Sequence, residues 1–305
     1  VQFNKLTGVD HIYIYDNSGA LSESDSLKPI TDLFPGFVTR INWPCKVCNN
    51  RPGNRDNKGE RSSQYAAESS CRLRFGAHSD WLGAFDTDEY PVPMGSYDNL
   101  SHLLDDMDKE DTRIVSFASK RSKPRLRYLN PSPTKSCDSC LNPSPPNSTS
   151  FLEVYNCNFE RPPRTNLMPA EKQIYKTDYV LLHFVHYSAI TTISAMTEAE
   201  SNNAHFTKYK YRRMYRDAHT RYVNESTEAT MLHAKSITIQ ETKRWDRQLN
   251  NERMPNCMVG IEYPADKGLT DGTVSVKTRG DHHFANCFPV EKIDQYWIPK
   301  FKNIL

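Results

Sequence analysis

The sequence predicts a mixed α/β fold, and three observations predict it. Short apolar segments such as Ile12–Tyr15 and Ile114–Phe117 alternate along the chain with segments of helical composition. The helical segment Arg61–Phe75 meets Gly76 and then the apolar run Trp81–Phe85. The chain has 305 residues, of which 37% are apolar, so it can bury a core, which argues against wholesale disorder. No clean linker divides it, and a single domain is expected.

Taken in order, Gly8–Asp16 predicts a buried strand that ends in the turn signal Asp-Asn-Ser-Gly. Leu21–Leu33 is polar and predicts a helix starting near Leu27, and Phe37–Trp43 a second strand. Cys45–Glu60 is polar, basic and rich in Asn and Gly, as surface loops are. Arg61–Phe75 carries Gln64, Ala66, Ala67, Glu68 and Arg72, which suit a helix that Gly76 stops. Trp81–Phe85 predicts a strand running into Asp86-Thr87-Asp88-Glu89-Tyr90, with Pro91 and Pro93 opposing its continuation. Leu100, Leu103, Leu104 and Met107 share one helical face, with Ser96 or Asp98 as the cap. Ile114–Phe117, Phe151–Tyr155 and Tyr179–Val185 predict strands, and Glu225–Asn250 a mostly helical region. Between them, Lys120–Ser150 is a Cys/Pro-rich insertion. The last fifty residues read as irregular.

Net charge is +2, which gives no global field for nucleic acid or anionic lipid. No apolar run is long enough to span a bilayer; the longest, near Tyr179–Val185, is interrupted by His183. Eight cysteines and two glycosylation sequons, at Asn147 and Asn224, together favour an oxidising, glycosylating compartment. Cys45-x-x-Cys48 and Cys137-x-x-Cys140 suit disulfides or, alternatively, one four-thiolate zinc site. Cys71, on its helix, is the candidate for a free thiol.

The sharpest chemical feature is the acidic cluster at the end of the Trp81–Phe85 strand. In open α/β sheets ligands gather at the carboxyl ends of strands. Asp86 and Asp88, spaced i and i+2, can hold a hard divalent cation, Mn²⁺ or Mg²⁺, that keeps positions open for diphosphate oxygens. Such a cation offsets the charge of a departing nucleoside diphosphate.

Four segments, in this order, resemble glycosyltransferase family 92. They are Gly8-Val-Asp-His-Ile-Tyr-Ile-Tyr-Asp-Asn-Ser18, the helix with Gln64, Ala67 and Cys71, Trp81 through Glu89, and Lys172-Gln-Ile-Tyr175 followed by Val185-His186. The resemblance covers roughly residues 1–190. It implies a GT-A-like (Rossmann-like) mixed sheet flanked by helices and an inverting transfer of galactose from UDP-galactose to a glycan acceptor. It further implies that Asp86, Asp88 and His186 bind the metal, and that Asp16, Asn17 and Gln64 face the donor. A lumenal site in the Golgi or secretory pathway follows, with any membrane anchor upstream. The family's domain normally begins one strand earlier than Val1, so that strand is expected to precede this sequence.

An inverting transfer needs a base, and Glu153 and Glu89 are the candidates. His183 and His186, three apart on a strand, point to opposite faces, and only His186 is expected to reach the cleft. Lys208–Tyr222 alternates basic residues with tyrosines, which suits an amphipathic helix, a sugar-binding surface or, less well, a nucleic-acid surface. Asp281-His282-His283 reads as a polar loop. The alternative to an enzyme is a glycan-binding or scaffolding protein that retains the fold without catalysis.

Overall fold

The structure is a computed structural model that describes residues 1–18, 26–44, 61–119, 122, 150–156, 171–192, 218–234, 275–278, 282–285 and 290–304. The chain divides into two compact units. The first comprises Val1–Asp86, Pro91–Ser119 and Met168–Met231; the second comprises Thr87–Tyr90, Lys120–Leu167 and Leu232–Leu305. Helices and strands mix in one chain, as the sequence pattern predicts.

In the first unit, helix α1 (Gln2–Leu6) leads to strand β1 (Ile12–Asp16), which pairs in parallel with β2 (Val38–Asn42) through the short helix α2 (Lys28–Thr31). Helix α3 (Arg61–Phe75) has the predicted boundaries, and a 3₁₀ turn at Gly76–His78 follows it. It lies against β1: Phe75 stacks on Tyr13 at 3.9 Å, and the Tyr15 hydroxyl donates to Ser70 Oγ at 3.0 Å. Arg72 ties the same helix to β7 (Val180–Phe184) by donating to the Val180 and Thr177 carbonyls.

The main sheet has the order β3-β6-β5-β9, formed by Trp81–Gly83, Glu171–Lys176, Ile114–Ala118 and Thr220–Tyr222. Strand β6 is antiparallel to both of its neighbours, and β5 and β9 are parallel. Its central position explains why β5 and the first five residues of β6 are buried even where they are polar. Helix α4 (Leu100–Lys109) turns Leu100, Leu103, Leu104 and Met107 inward. Leu103, Leu104 and Met107 meet Val115, Phe117, Ile174, Val223 and Met231 in one apolar cluster. Burying a Leu or Phe there contributes about 1.5–3 kcal/mol each. The helix starts at Asn99, whose side chain accepts from the Ser101 amide at 2.7 Å; Asn99, not Ser96 or Asp98, is the cap. Gly8, at φ +87°, lies so close to Asn99 that a Cβ would sit 2.1 Å from its Oδ1. Strands β7 and β8 (Tyr187–Thr191) form a hairpin whose turn is Val185-His186.

In the second unit, helix α5 (Phe151–Tyr155) and the C-terminal helix α6 (Ile298–Lys302), entered through a π-helical turn at Ile293–Trp297, share a core. Phe151 stacks on Tyr90 at 4.1 Å and meets Phe301 edge-on at 5.7 Å. Trp297, Ile293 and Leu152 are fully buried. Buried Asn156 accepts from the Val290 amide at 2.8 Å. Strands β11 (Ser275–Thr278) and β12 (His282–Ala285) form an antiparallel hairpin.

Several expectations are corrected. Phe151–Tyr155 is a helix rather than a strand, because Ser150 and Glu153 form a capping box that starts one. Ala229–His233 is strand β10 rather than helix, because its backbone pairs with β4 (Glu89–Pro93). That pairing also carries β4 across Pro91 and Pro93, which a strand bonded along one edge tolerates. Thr220–Tyr222 extends the main sheet instead of ending a helix, and His282 and His283 lie on a strand rather than in a loop. Of the last fifty residues, expected to be irregular, Ser275–Thr278 and His282–Ala285 are strands and Ile293–Lys302 is helical, while residues 256–274 lie outside the described residues. Apart from Ser122 and Ser150 the Cys/Pro-rich insertion lies outside the described residues, as do the Lys208–Asp217 part of the basic stretch, residues 235–250 of the expected helical region and both Cys-x-x-Cys pairs. Among the described residues no helix is long and apolar enough to cross a membrane.

Candidate functional site

Strand β3 ends at Gly83, and the chain leaves it through Ala84 and Phe85 to reach Asp86. Phe85 anchors this exit on the main apolar cluster. The Asp86 side chain is 46% exposed, yet its Oδ1 lies 3.5 Å from the Nζ of Lys172, a residue of β6 that is only 1% exposed. A lysine buried so completely needs a counter-charge. Glu68 of α3 belongs to the same electrostatic group. Burial pushes its carboxyl up to about 7, with Lys172 opposing that rise and Asp86 adding to it. Its Oε2 is buried with no hydrogen-bond partner among the described residues.

The two histidines of the β7–β8 hairpin have different positions. His183 is on β7, stacks on Tyr175 at 4.6 Å and contacts Ser188 Oγ through Nδ1 at 3.3 Å. Burial, with the charge of Lys172 second, pushes its pKa down to about 3, so its imidazole stays neutral. His186 is not on the strand but in the hairpin turn, so the opposite-face argument does not apply to it. Its Nδ1 lies 3.0 Å from the Glu171 carbonyl, next to Lys172 in sequence.

The second half of the motif has its own surroundings. Asp88 and Glu89 flank one residue of β10, His233. Its Nε2 is 3.7 Å from Asp88 Oδ2, and its Nδ1 is 3.6 Å from Glu89 Oε1. The Ala234 amide donates to the Asp88 carbonyl at 2.7 Å, which fixes this register. Glu89 is buried, its side chain 1% exposed. Sequence reasoning missed His233 because its segment has helical composition; only the pairing of β10 with β4 brings it to the acids.

The remaining candidates are placed as follows. Asp16 is buried at the end of β1. Its Oδ1 accepts from the Ser18 amide and hydroxyl, and its Oδ2 accepts from the Leu27 amide and Arg40 Nε. Burial alone would raise its pKa, but the bonds from Ser18, Arg40 and Leu27 outweigh it and hold the carboxyl far below the usual range. Asn17 is exposed beside it, and Gln64 lies on the first turn of α3, partly buried. Glu153 holds the N-terminus of α5 and pairs with Lys302. Among the described residues, no group of three or more His, Cys, Asp and Glu side chains is gathered as a metal-binding cluster. Asp86 and Asp88 nevertheless each carry hard oxygen donors, and the Glu68 carboxyl stands in the electrostatic neighbourhood of Asp86. That chemistry fits Mg²⁺ or Mn²⁺, which one or two carboxylates hold while substrate phosphates and water complete the shell.

The sequence profile of glycosyltransferase family 92 matches residues 1–253. The chain belongs to glycosyltransferase family 92. The match extends well past residue 190, where the resemblance carried by the four segments ends, and so takes in β9, β10 and His233. No curated protein matches the sequence. Membership of family 92 makes the chain a glycosyltransferase, an enzyme class that binds a sugar donor and a glycan acceptor.

Proposed function

We propose that this glycosyltransferase moves galactose from UDP-galactose to a hydroxyl of a glycan acceptor with inversion, in the lumen of the Golgi or secretory pathway, on a GT-A-type sheet. The observation that carries the reading is the position of Asp86-Thr87-Asp88, which follows β3 of the main sheet in a chain of family 92. Asp86, Asp88 and His186 would hold Mn²⁺ or Mg²⁺. When bound, the cation supplies positive charge for the leaving diphosphate. Asn17 and Gln64 contact the donor, and Asp16 acts by holding the turn that presents Asn17. The acceptor oxygen forms a bond to the anomeric carbon as the bond from that carbon to the diphosphate oxygen breaks. The acceptor proton passes to a carboxylate, Glu89 or Glu153, and UDP leaves.

Isothermal titration of UDP into the protein, with and without Mn²⁺, tests this on the wild type and Asp88→Ala. Binding that needs both Mn²⁺ and Asp88 supports the donor site. A folded wild type that binds no UDP under either condition overturns it and favours the glycan-binding alternative. Glu89→Gln and Glu153→Gln then separate the two bases: the variant that loses turnover while keeping UDP affinity identifies the base. Unchanged Mn²⁺ titration in His186→Ala removes that residue from the metal site.

A further inference from the structure

We propose that Lys172 makes divalent-cation binding at Asp86 conditional on the nucleotide diphosphate. This deepens the metal-dependent reading above and rests on it. Lys172 is 1% exposed on β6, the second strand of the four-stranded sheet, and its Nζ lies 3.5 Å from Asp86 Oδ1. Asp86 itself is 46% exposed, so its carboxylate is open to solvent although Lys172 lies beside it. Glu68, on α3, senses both charges, and its buried Oε2 has no hydrogen-bond partner among the described residues. A lone divalent cation at Asp86 meets the field of a buried ammonium 3.5 Å away that cannot move into water.

A diphosphate changes that balance. Its negative charge offsets both the cation and Lys172, so cation and nucleotide stabilise each other at the site. The coupling is reciprocal: each raises the affinity of the other by the same factor. Lys172 acts through Asp86 and is a positioning residue. A lysine kept only for packing would give the opposite signature when replaced, because disrupting the site weakens the cation and the nucleotide together.

The test is Mn²⁺ binding, measured by electron paramagnetic resonance of free Mn²⁺, with and without UDP, on the full chain. The wild type is expected to bind Mn²⁺ far more tightly with UDP than without. Lys172→Met should gain about tenfold in affinity for Mn²⁺ alone, the scale of one partly screened charge interaction, and lose most of the UDP coupling. Lys172→Arg keeps the charge and should retain the wild-type coupling. A folded Lys172→Met that binds Mn²⁺ alone no more tightly than wild type overturns the proposal. If Lys172→Met does not fold, Glu68→Gln serves instead: it removes negative charge beside Lys172 and should weaken Mn²⁺ alone several-fold, and no change counts against the proposal. A wild type that binds no Mn²⁺ even with UDP is a different result: it overturns the metal-dependent reading itself, and this inference with it.

Discussion

Lys302, near the described end of the chain, places its Nζ 2.6 Å from Glu153 Oε1. Glu153 Oε2 accepts from the Ser150 amide at 2.8 Å, so one carboxylate joins the C-terminal helix to the start of α5. This joint predicts two unequal losses. Ser150→Ala removes the cap and should cost about 1 kcal/mol. Lys302→Ala should cost less, at most about 1 kcal/mol, because Lys302 is 45% exposed and its charge is screened. Urea midpoints of the two variants check the order.

The apolar cluster predicts a contrast between two leucines. Leu103 is fully buried on α4 beside Phe117, whereas Leu73 on α3 is 76% exposed. Leu103→Ala should destabilise by about 2–5 kcal/mol, since the lost contacts leave a cavity. Leu73→Ala should stay within about 0.5 kcal/mol of wild type. Thermal melts of both variants decide it.

Gly8 predicts a position where Ala fails. Its φ of +87° disfavours any Cβ, and that Cβ would collide with Asn99, the cap of α4. Gly8→Ala should therefore lower stability by more than Asn99→Ala, for which about 1 kcal/mol is expected. Equal melting temperatures for the two variants would contradict the clash.

Asp16 predicts acid sensitivity. Its folded pKa lies below that of the unfolded chain, so the unfolded state takes up the proton first. The stabilisation is fully present above the unfolded value of about 4 and drains away as pH falls below it. Asp16→Asn should be less stable than wild type at neutral pH and show a shallower decline between about pH 4 and 2. Denaturation midpoints across that range measure it.

Cys71 predicts a slow thiol. Burial raises its pKa to about 11, and among the described residues it forms no disulfide. In the native protein its alkylation by iodoacetamide at pH 8 should lag far behind that in urea. Peptide mapping of Cys71 in both conditions reads this directly, and equal rates would contradict the buried environment.

Local pattern was sufficient for β1, β2, α3, β5 and the inward face of α4, and for the position of Asp86 after a strand. In each the periodicity or a stop signal is contained within a few residues, as at Gly76 after α3. The four family segments were legible for the same reason: order and spacing are properties of the sequence itself. Phe151–Tyr155 was not, since four apolar residues around Glu153 suit either state until Ser150 and Glu153 form the cap. Ala229–His233 had helical composition and became a strand only by pairing with β4. The partners of the acids also belong to tertiary structure. Lys172 reaches Asp86 from 86 positions away, and His233 reaches Asp88 and Glu89 from more than 140. The sequence determined which groups are present and which short elements carry them. Their charge environment was decided by sheet order and strand register, because contacts between distant residues leave no local periodicity to read.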